Sequence, residues 1–384
     1  MEYEDHFLFP LVREPRSRWE KAGLSPRQER GFNRVATLLM ALFVTGWLYS
    51  IFLVPREALE GAPVARISTQ LIRSPLSSRA PPEAAFLEDE FVRSFASQFE
   101  REVRGSSGAV NIRVVKPGED LDLPASADSL PSGAEIVLRP AGDTAGRVVS
   151  ADSSPRDPGI WNLMLRMRDA VRPASEVAVV TLVPLSAKRR GRVGSYMVGS
   201  WPYESGGTPK AGYTPPAGLV RVTPENRDVW ISEHVQLKDF LTKGQAGVWP
   251  KYVALQPRVL DKVELTLQEL ERMGHPVKNI FVVSAFRTPS YNESGGDPSG
   301  RAGLSRHMYG DAMDIAIDND NDGRMDDLNG DGRVTVADAR VLAQAADRVE
   351  KKYPELVGGV GTYAPTGAHS GFVHIDTRGY RARW

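Results

Sequence analysis

An uncharged, mostly apolar run of 20 residues, 35–54, constrains the fold of this chain more than any other feature. A helix of that length spans about 30 Å, the hydrocarbon thickness of a bilayer. Five Lys or Arg residues lie in the 18 residues before the run and two in the 18 residues after it. By the positive-inside rule, the sequence predicts a single-pass protein of the cytoplasmic (inner) membrane, with residues 1–34 in the cytoplasm and a periplasmic or extracellular C-terminal domain. The run is too long for a signal peptide, and its apolar residues on all faces disfavour a buried core helix.

Composition excludes several classes of function. The 384 residues contain no cysteine, so disulfide frameworks, thiolate zinc sites, iron–sulfur clusters and cysteine nucleophiles are ruled out. Lys plus Arg and Asp plus Glu number 48 each, and without an excess of positive charge we expect no nucleic-acid partner. Apolar residues make up 41% of the chain, which is enough for a sizeable core, and the length favours two or three domains.

Changes in composition divide the rest of the chain. Residues 55–85 are rich in Pro, Ser, Arg and Ala and are predicted to form a linker. A helix predicted over 86–103, with Phe at steps of four, is followed by strand-like segments between turns. Together they predict a β-rich, membrane-proximal spacer module over 86–202. The Gly/Pro-rich segment 203–218 is predicted to connect this module to a C-terminal domain, 219–384, with an antiparallel sheet and helices. The predicted fold class is therefore α+β with an N-terminal transmembrane helix.

Polar side chains with metal-ligand chemistry interrupt two apolar strands of the C-terminal region. In DAMDIAID, Asp314 lies on the opposite strand face from its apolar neighbours. In FVHID, His374 shares a face with Asp376, and His307 precedes Asp314 by seven residues. Two imidazoles and one carboxylate make a three-ligand set with an open fourth position, which is the catalytic form of zinc coordination. His307, Asp314 and His374 are therefore predicted to bind Zn²⁺.

Three segments, SAFRT (284–288), SRHMYGDAMD (305–314) and FVHID (372–376), resemble the signature segments of the zinc D-Ala-D-Ala metallopeptidase family. Relatives of that family include the lysostaphin-type endopeptidases and the hedgehog signalling domain. The resemblance covers about residues 230–384 and implies zinc ligation by the same two histidines and aspartate. It also implies that Arg287 binds the carboxylate or carbonyl of a substrate. The implied activity is that of a carboxypeptidase or endopeptidase that attacks peptidoglycan stem peptides or cross-links with a zinc-bound water.

The general base is the point at which this sequence departs from the family. Many members carry a Glu or a second His shortly before the final zinc ligand, whereas residues 371–373 here are Gly, Phe and Val. The two catalytic candidates are Asp376, on the same strand face as His374, and His369, on the preceding loop. A carboxylate beside a metal-bound imidazole can instead hold its tautomer, so Asp376 is equally a candidate orienting residue.

An acidic segment between the zinc ligands follows the spacing of an EF-hand calcium loop. From Asp327 it reads D-x-N-x-D-G-x-x-T-x-x-D, and hard oxygen ligands of this kind suit Ca²⁺. The predicted ligands are Asp327, Asn329, Asp331, the carbonyl of Arg333, Thr335 and Asp338. A second pattern begins with Asp318, Asp320 and Asp322 and is a candidate for a second calcium ion that shares ligands. We expect calcium, bound within 318–338, to stabilise the peptidase domain.

The sequence thus predicts a membrane-anchored zinc metallopeptidase that hydrolyses peptide bonds in peptidoglycan, with peptidoglycan peptides and the inner membrane as its partners. The alternative is a catalytically inactive, metal-stabilised protein that binds the cell wall or a partner, and the missing base before His374 favours it. A calcium-dependent scaffold is a third interpretation. Dockerin-like scaffolds pair two loops, however, and this chain offers one good loop.

Overall fold

Short strands and four helices alternate along residues 82–384, the part of the chain that the computed structural model describes. Within that range, the residues left undescribed are 125–129, 131–132, 144–145, 168–169, 211, 295–300 and 368. The helices are α1 (Pro82–Val103), α2 (Pro257–Arg272), α3 (Pro289–Ser294) and α4 (Val336–Lys352). The strands are β1 (Ile112–Val115), β2 (Ala134–Pro140), β3 (Val149–Ser150), β4 (Gly159–Met167), β5 (Ala170–Thr181), β6 (Val183–Pro184), β7 (Arg192–Val193), β8 (Tyr196–Met197), β9 (Gly218–Val222), β10 (Lys251–Val253), β11 (Ile280–Ser284), β12 (Ala312–Ile317), β13 (Gly359–Tyr363), β14 (Phe372–Asp376) and β15 (Ala382–Arg383).

Five strands in the order β1-β5-β4-β2-β3 form the N-terminal sheet, which helix α1 covers. Strands β1 and β5 run parallel, and the other neighbours are antiparallel. Phe91, Phe95 and Phe99 of α1 stack along one side of the helix, with ring centroids 6.1 and 5.9 Å apart, because residues four apart share a face. Phe95 and Phe99 are completely buried in the core beneath the helix. The helix ends at Val103, as the sequence predicts, and begins at Pro82, four residues earlier than predicted.

The C-terminal sheet, in the order β11-β12-β14-β13-β15, carries two of the predicted metal ligands. Its first four strands pair antiparallel, and β15 joins β13 in parallel. Helices α2 and α4 pack against each other and against this sheet. Leu260, Val263 and Leu267 of α2 recur at helical spacing and are buried in the core. Because side chains alternate along a strand, the polar residues of β14 lie on the face opposite to Val373 and Ile375.

One apolar core joins the N-terminal and C-terminal sheets. It includes Ile112 and Val180 of the N-terminal sheet together with Val263 of α2 and Ile315 of β12. A three-stranded sheet, β10-β9-β6, adds Val220 to the same core. The β-rich region therefore packs directly onto the region that bears the predicted metal ligands.

The segment predicted as a connector, 203–218, contacts the turn that carries His307. Arg306, the preceding residue, forms a buried ion pair with Asp311. Its guanidinium lies 4.8 Å from the ring centre of Tyr213 in the connector. A buried charge is stable only when it is paired and hydrogen-bonded, so these contacts hold the turn in place.

The prediction of an N-terminal transmembrane helix, and with it of a single-pass membrane location, is contradicted by the helices that the structure describes. Among the described residues of 82–384, no helix is both long enough and apolar enough to cross a membrane. The longest, α1, has 22 residues, and its sequence contains eight charged residues. Helices α2 and α4, with 16 and 17 residues, are too short to span about 30 Å. The run 35–54 itself lies outside the described residues.

Candidate metal centre

Two neighbouring strands and one tight turn bring the three predicted ligands together. Asp314 on β12 and His374 on β14 are direct cross-strand partners, so their side chains leave the same face of the sheet. His307 lies in a single 3-10 turn just before β12. Gly310 ends that turn with a φ of 68°, and a Cβ at this position would lie 2.3 Å from the carbonyl of Ala254. This close approach requires glycine at position 310, and the tight turn that glycine permits places His307 next to strand β12.

The ligand atoms of these residues form a compact triangle. His307 Nε2 lies 3.2 Å from Asp314 Oδ1 and 3.2 Å from His374 Nδ1. His374 Nδ1 lies 2.8 Å from Asp314 Oδ1. Donors about 2.0–2.1 Å from a tetrahedral ion are about 3.3 Å apart, so the triangle matches one face of such a coordination shell in size. The three residues are only 3%, 4% and 6% exposed, and the group is compatible with a bound metal ion.

The second ring nitrogen of each histidine determines where its hydrogen lies. His307 Nδ1 lies 2.5 Å from the carbonyl oxygen of Ala285, which can only accept, so this nitrogen carries the hydrogen. His374 Nε2 lies 2.9 Å from Asp376 Oδ2 and donates to that carboxylate in the same way. Each neutral imidazole then turns its lone pair toward Asp314. Two nitrogen lone pairs and a carboxylate oxygen thus converge without a hydrogen between them. Because these electron-rich atoms repel one another, a metal ion or an added proton must lie between them.

The electrostatics of the triangle favour a bound cation. Burial opposes the charge on Asp314. When a proton rather than a metal ion lies within the triangle, the charges and hydrogen bonds of His307 and His374 outweigh burial and hold the pKa of the Asp314 carboxyl well below its usual range. Burial likewise disfavours the imidazolium form of His374, yet its hydrogen bonds to Asp314 and Asp376 raise its pKa. At His307 burial dominates and lowers the pKa. An ionised Asp314 and a neutral His307 are the forms that ligate metals.

The three segments that carry the resemblance to zinc peptidases, 284–288, 305–314 and 372–376, meet at this site. Ala285 and Arg287 of the first segment contact the ligands supplied by the other two. No family model, curated protein or solved structure matched the chain. Membership of the zinc D-Ala-D-Ala metallopeptidase family therefore stays a prediction.

Asp376 lies on the side of His374 that faces away from the triangle, and both of its carboxylate oxygens accept hydrogen bonds. Its carboxylate accepts from His374 Nε2 at 2.9 Å, from the Gly359 N–H at 2.8 Å and from Arg378 Nε at 2.9 Å. The residue is completely buried. Burial opposes its charge, but the hydrogen bonds from His374 and Arg378 prevail and hold the pKa of the carboxyl well below its usual range. A saturated, weakly basic carboxylate behind the imidazole favours the orienting role over that of a general base.

Arg287 lies beside the triangle, whereas His369 lies outside it. Arg287 Nη2 donates to Asp314 Oδ2 at 2.9 Å, and its Nε donates to Ser284 Oγ at 3.0 Å. A fifth of the Arg287 side chain is exposed (20%), so it can contact both Asp314 and an incoming molecule. His369 lies on the loop before β14 with its ring centroid 5.2 Å from that of Phe372. It is not among the side chains that converge with His307.

In the acidic loop, a second group of carboxylates converges, with a membership different from the predicted one. Asp318, Asp320 and Asp326 place ligand oxygens within 4.8 Å of one another. Asp322, the predicted third member, instead accepts the N–H of Arg324 at 2.8 Å. Asp326 is the ninth residue counted from Asp318, and the ninth position supplies a ligand in EF-hand loops. The spacing of Asp326 from Asp318 could therefore have identified it as a ligand, and the prediction of Asp322 in its place was wrong.

The loop that begins at Asp327 has the tight turns of the predicted calcium loop. The Asp327 carboxylate accepts the backbone N–H groups of residues 330, 331 and 332. Asp338 accepts the N–H of Thr335 at 2.7 Å with one oxygen and those of residues 328 and 329 with the other. Thr335 is the N-cap of α4. The remaining predicted ligands lie on the exposed side of the loop: Asn329, Asp331 and Arg333.

Three residues that lie near the triangle or contact its neighbours were not predicted from the sequence. Arg378 donates to Asp376, and the Trp384 ring lies 5.2 Å from that of His374. Lys262 of α2 is fully buried, and its Nζ donates to Glu350 at 2.6 Å and to the carbonyl of Asp376 at 2.7 Å. Trp384 reaches the site through the pairing of β15 with β13 and has no local signature, whereas Arg378 follows Asp376 by only two residues.

Proposed function

We propose that this protein is a zinc metallopeptidase that hydrolyses peptide bonds in peptidoglycan stem peptides or cross-links. The observation that carries the proposal is the buried triangle of His307, Asp314 and His374, with the hydrogens of both imidazoles turned away from its centre. Two nitrogens and one carboxylate oxygen are donors of catalytic zinc sites, which keep a fourth position open. Ca²⁺ and Mg²⁺ take oxygen ligands, so this donor set disfavours them.

Each residue around the triangle has a separate task in this proposal. When bound, zinc supplies a Lewis acid and an activated water. Asp376 holds His374 in the tautomer that ligates, and Arg378 holds Asp376, so the donor nitrogen cannot rotate away. Arg287, beside Asp314, binds the carbonyl oxygen or carboxylate of the substrate. In a site shielded from water, such a donor stabilises negative charge that develops during the reaction.

Peptidoglycan is the proposed substrate because the segments SAFRT, SRHMYGDAMD and FVHID resemble those of enzymes that act on it. The position of Arg287 supports a peptide substrate, since a guanidinium forms strong hydrogen bonds with carboxylates and carbonyls. Ser284, Asp314 and His374 are successive cross-strand neighbours on one sheet face, and Arg287 contacts the first two. An extended peptide that lies across these strands would therefore pass the guanidinium.

A catalytically inactive, metal-stabilised binding protein is the second candidate, and one observation favours it. Asp376 is saturated by hydrogen bonds on the far side of His374, and His369 lies outside the triangle. The carboxylate of Asp376 therefore does not face the centre of the triangle, and His369 is not one of the groups that converge there. A positioned base contributes typically about 10²–10⁴-fold to a rate, so its loss would abolish most activity and leave metal binding intact.

The experiment that separates the two candidates uses the full chain loaded with zinc and incubated with purified peptidoglycan. Products are identified by liquid chromatography and mass spectrometry, beside a His307→Ala variant and a His275→Ala control, whose imidazole lies outside the triangle. Release of a terminal D-alanine or loss of cross-linked dimers by wild type and control, but not by His307→Ala, supports the peptidase. No product from a protein with measured zinc occupancy refutes the peptidase on this substrate and favours the binding protein.

We further propose that Ca²⁺ binds the acidic loop and stabilises the surrounding fold. The converging oxygens of Asp318, Asp320 and Asp326 carry mutually repelling charges, which a divalent cation would neutralise. Metal-stripped protein reloaded with zinc should therefore melt at a higher temperature when calcium is added. Asp326→Asn should remove most of that increase, whereas Asp157→Asn, at an exposed position elsewhere, should retain it. An increase that is absent from the wild type, or unchanged by Asp326→Asn, contradicts this assignment.

A further inference from the structure

The face of the C-terminal sheet that bears the triangle continues into an aromatic surface. Gly361 on β13 is the cross-strand partner of His374, so their side-chain positions are adjacent on that face. A Cβ at Gly361 would lie 2.4 Å from the indole of Trp384, which means that the indole occupies the space beside His374 that a larger residue would fill. The Trp384 ring centroid is 5.2 Å from that of His374.

Trp384 is held by hydrogen bonds from both its indole and its backbone and is nevertheless half exposed. Its Nε1–H donates to the Tyr363 hydroxyl at 2.7 Å, and its backbone oxygen accepts from the Thr362 N–H at 3.0 Å. The Arg378 guanidinium lies 5.3 Å from the ring. The residue still has 48% of its surface exposed. Because the one polar atom of the indole already has a partner, its free surface is apolar, and such a surface beside a metal group is typical of a binding site.

The opposite flank of the triangle is polar. Strand order places β11, with Ser284 and the adjoining Arg287, on the far side of Asp314 from His374. A chain that crosses the strands over the triangle therefore meets a guanidinium on one side and an indole on the other. Adjacent strands are about 4.8 Å apart, so the two strand steps between Asp314 and β13 correspond to about three residues of extended peptide. One residue on each side of a reacting amide fits that distance.

We infer that Trp384, positioned by Tyr363, determines specificity for an apolar substrate residue, which it contacts on the side of the reacting amide opposite to Arg287. This inference rests on the proposed peptidase function and adds the class of residue that the site accepts. An acidic or strongly hydrated side chain would lose water against the indole without gaining a hydrogen bond, because Trp384 Nε1 is already engaged. An aliphatic side chain would bury its surface there at no such cost.

Three hydroxamates test the inference through binding to the zinc-loaded full chain, measured by calorimetry. Acetohydroxamate reports the metal alone, and the hydroxamates of N-acetyl-leucine and N-acetyl-aspartate add an apolar or an acidic side chain. We expect wild type to prefer the leucine probe by about tenfold or more. Trp384→Ala should reduce that preference to about twofold or less and leave acetohydroxamate affinity within about twofold. Trp384→Phe keeps an apolar ring but loses the hydrogen bond to Tyr363, so it should retain only part of the preference. Trp230→Ala, which removes another exposed indole (53%), should keep all of it.

The outcomes separate this inference from the proposed function. A preference for leucine that survives in Trp384→Ala overturns the inference and leaves the peptidase proposal standing. Equal weakening of all three probes also overturns it, because Trp384 would then act only by supporting His374. Failure of wild type to bind acetohydroxamate at measured zinc occupancy overturns the open metal site and the inference with it. If Trp384→Ala binds less zinc, Tyr363→Phe carries the test, since releasing the indole should lower the preference by severalfold, and an unchanged preference overturns the inference.

Discussion

Replacing Asp376 by Asn distinguishes the orienting role of that carboxylate from the role of general base. Asp376 accepts hydrogen bonds from His374, Gly359 and Arg378 and is completely buried. Asparagine keeps the size and one acceptor oxygen, but it loses the charge. Its amide group turns a donor toward neighbours that are themselves donors. The imidazole of His374 then loses the charged partner that holds its lone pair toward the metal.

The expected effect on zinc binding follows from these contacts. Loss of a residue that orients a ligating histidine typically weakens metal affinity by about 10–100-fold, or about 1.4–2.7 kcal/mol. The carboxylate of Asp376 has no water to replace the bonds it loses, because none of its surface is exposed. We therefore expect a loss of about 2 kcal/mol, which corresponds to zinc affinity about 30-fold weaker than in wild type.

Competition with a fluorescent zinc indicator measures this affinity directly in the full chain. The matched control is Asp347→Asn, which removes a carboxylate that also pairs with arginine, at Arg383, but lies outside the triangle. The control should change zinc affinity by less than about twofold. If Asp376→Asn binds zinc like wild type and loses more than about 100-fold in peptidase rate, the orienting argument is refuted, and Asp376 acts as the base.

Three further predictions concern stability. Lys262→Met removes the donor to the Asp376 carbonyl and to Glu350, although Glu350 keeps its ion pair with Arg383. The free energy of unfolding should therefore fall by about 2 kcal/mol in a denaturant titration, and a loss below about 0.5 kcal/mol would contradict this prediction. Gly310→Ala should cost at least about 2 kcal/mol by the same assay, because its backbone has positive φ and its Cβ would meet backbone atoms, whereas Gly303→Ala, in open space, should cost far less. The hydrogen bond to Glu264 outweighs burial and raises the pKa of His234. This contact therefore stabilises the folded state fully below about pH 6.5, and its contribution is lost as the pH rises through the raised pKa. Thermal melts of wild type and His234→Gln between about pH 5.5 and 9 check the last prediction, and a difference that is constant with pH would disprove it.

The strand face on which each of Asp314 and His374 lies could be predicted, because the alternation of side chains along a strand is a local property of the sequence. Asp314 and His374 each stand alone among apolar residues, and one period-2 pattern places each on a single face. Their direct opposition across β12 and β14 was not predictable, since pairing register depends on residues about 60 positions apart. The position of His307 depended on Gly310, whose need for a left-handed backbone becomes visible only beside Ala254.

The role of Asp376 shows where sequence reasoning stops. Spacing alone placed its carboxylate beside His374 and left two roles open. The structure adds the Arg378 and Gly359 contacts on its far side, and these favour one role. In the acidic loop, the spacing alone was sufficient, because Asp326 occupies the ninth position counted from Asp318. The alternation of Asp318, Asp320 and Asp322 instead led to the prediction of Asp322 as the third ligand.

The strand that bears His374 is held from both of its faces, and this explains why a buried charge lies in helix α2. On the site face, Arg378 binds the Asp376 carboxylate. On the helix face, Lys262 Nζ donates to the carbonyl of the same residue at 2.7 Å and to Glu350 of α4 at 2.6 Å. Burial lowers the pKa of Lys262, so the fold bears a desolvation cost that an apolar residue would avoid. That cost is understandable if the lysine fixes the backbone of Asp376, because the nitrogen of His374 must be held within about 0.5 Å of its productive position to complete the triangle with His307.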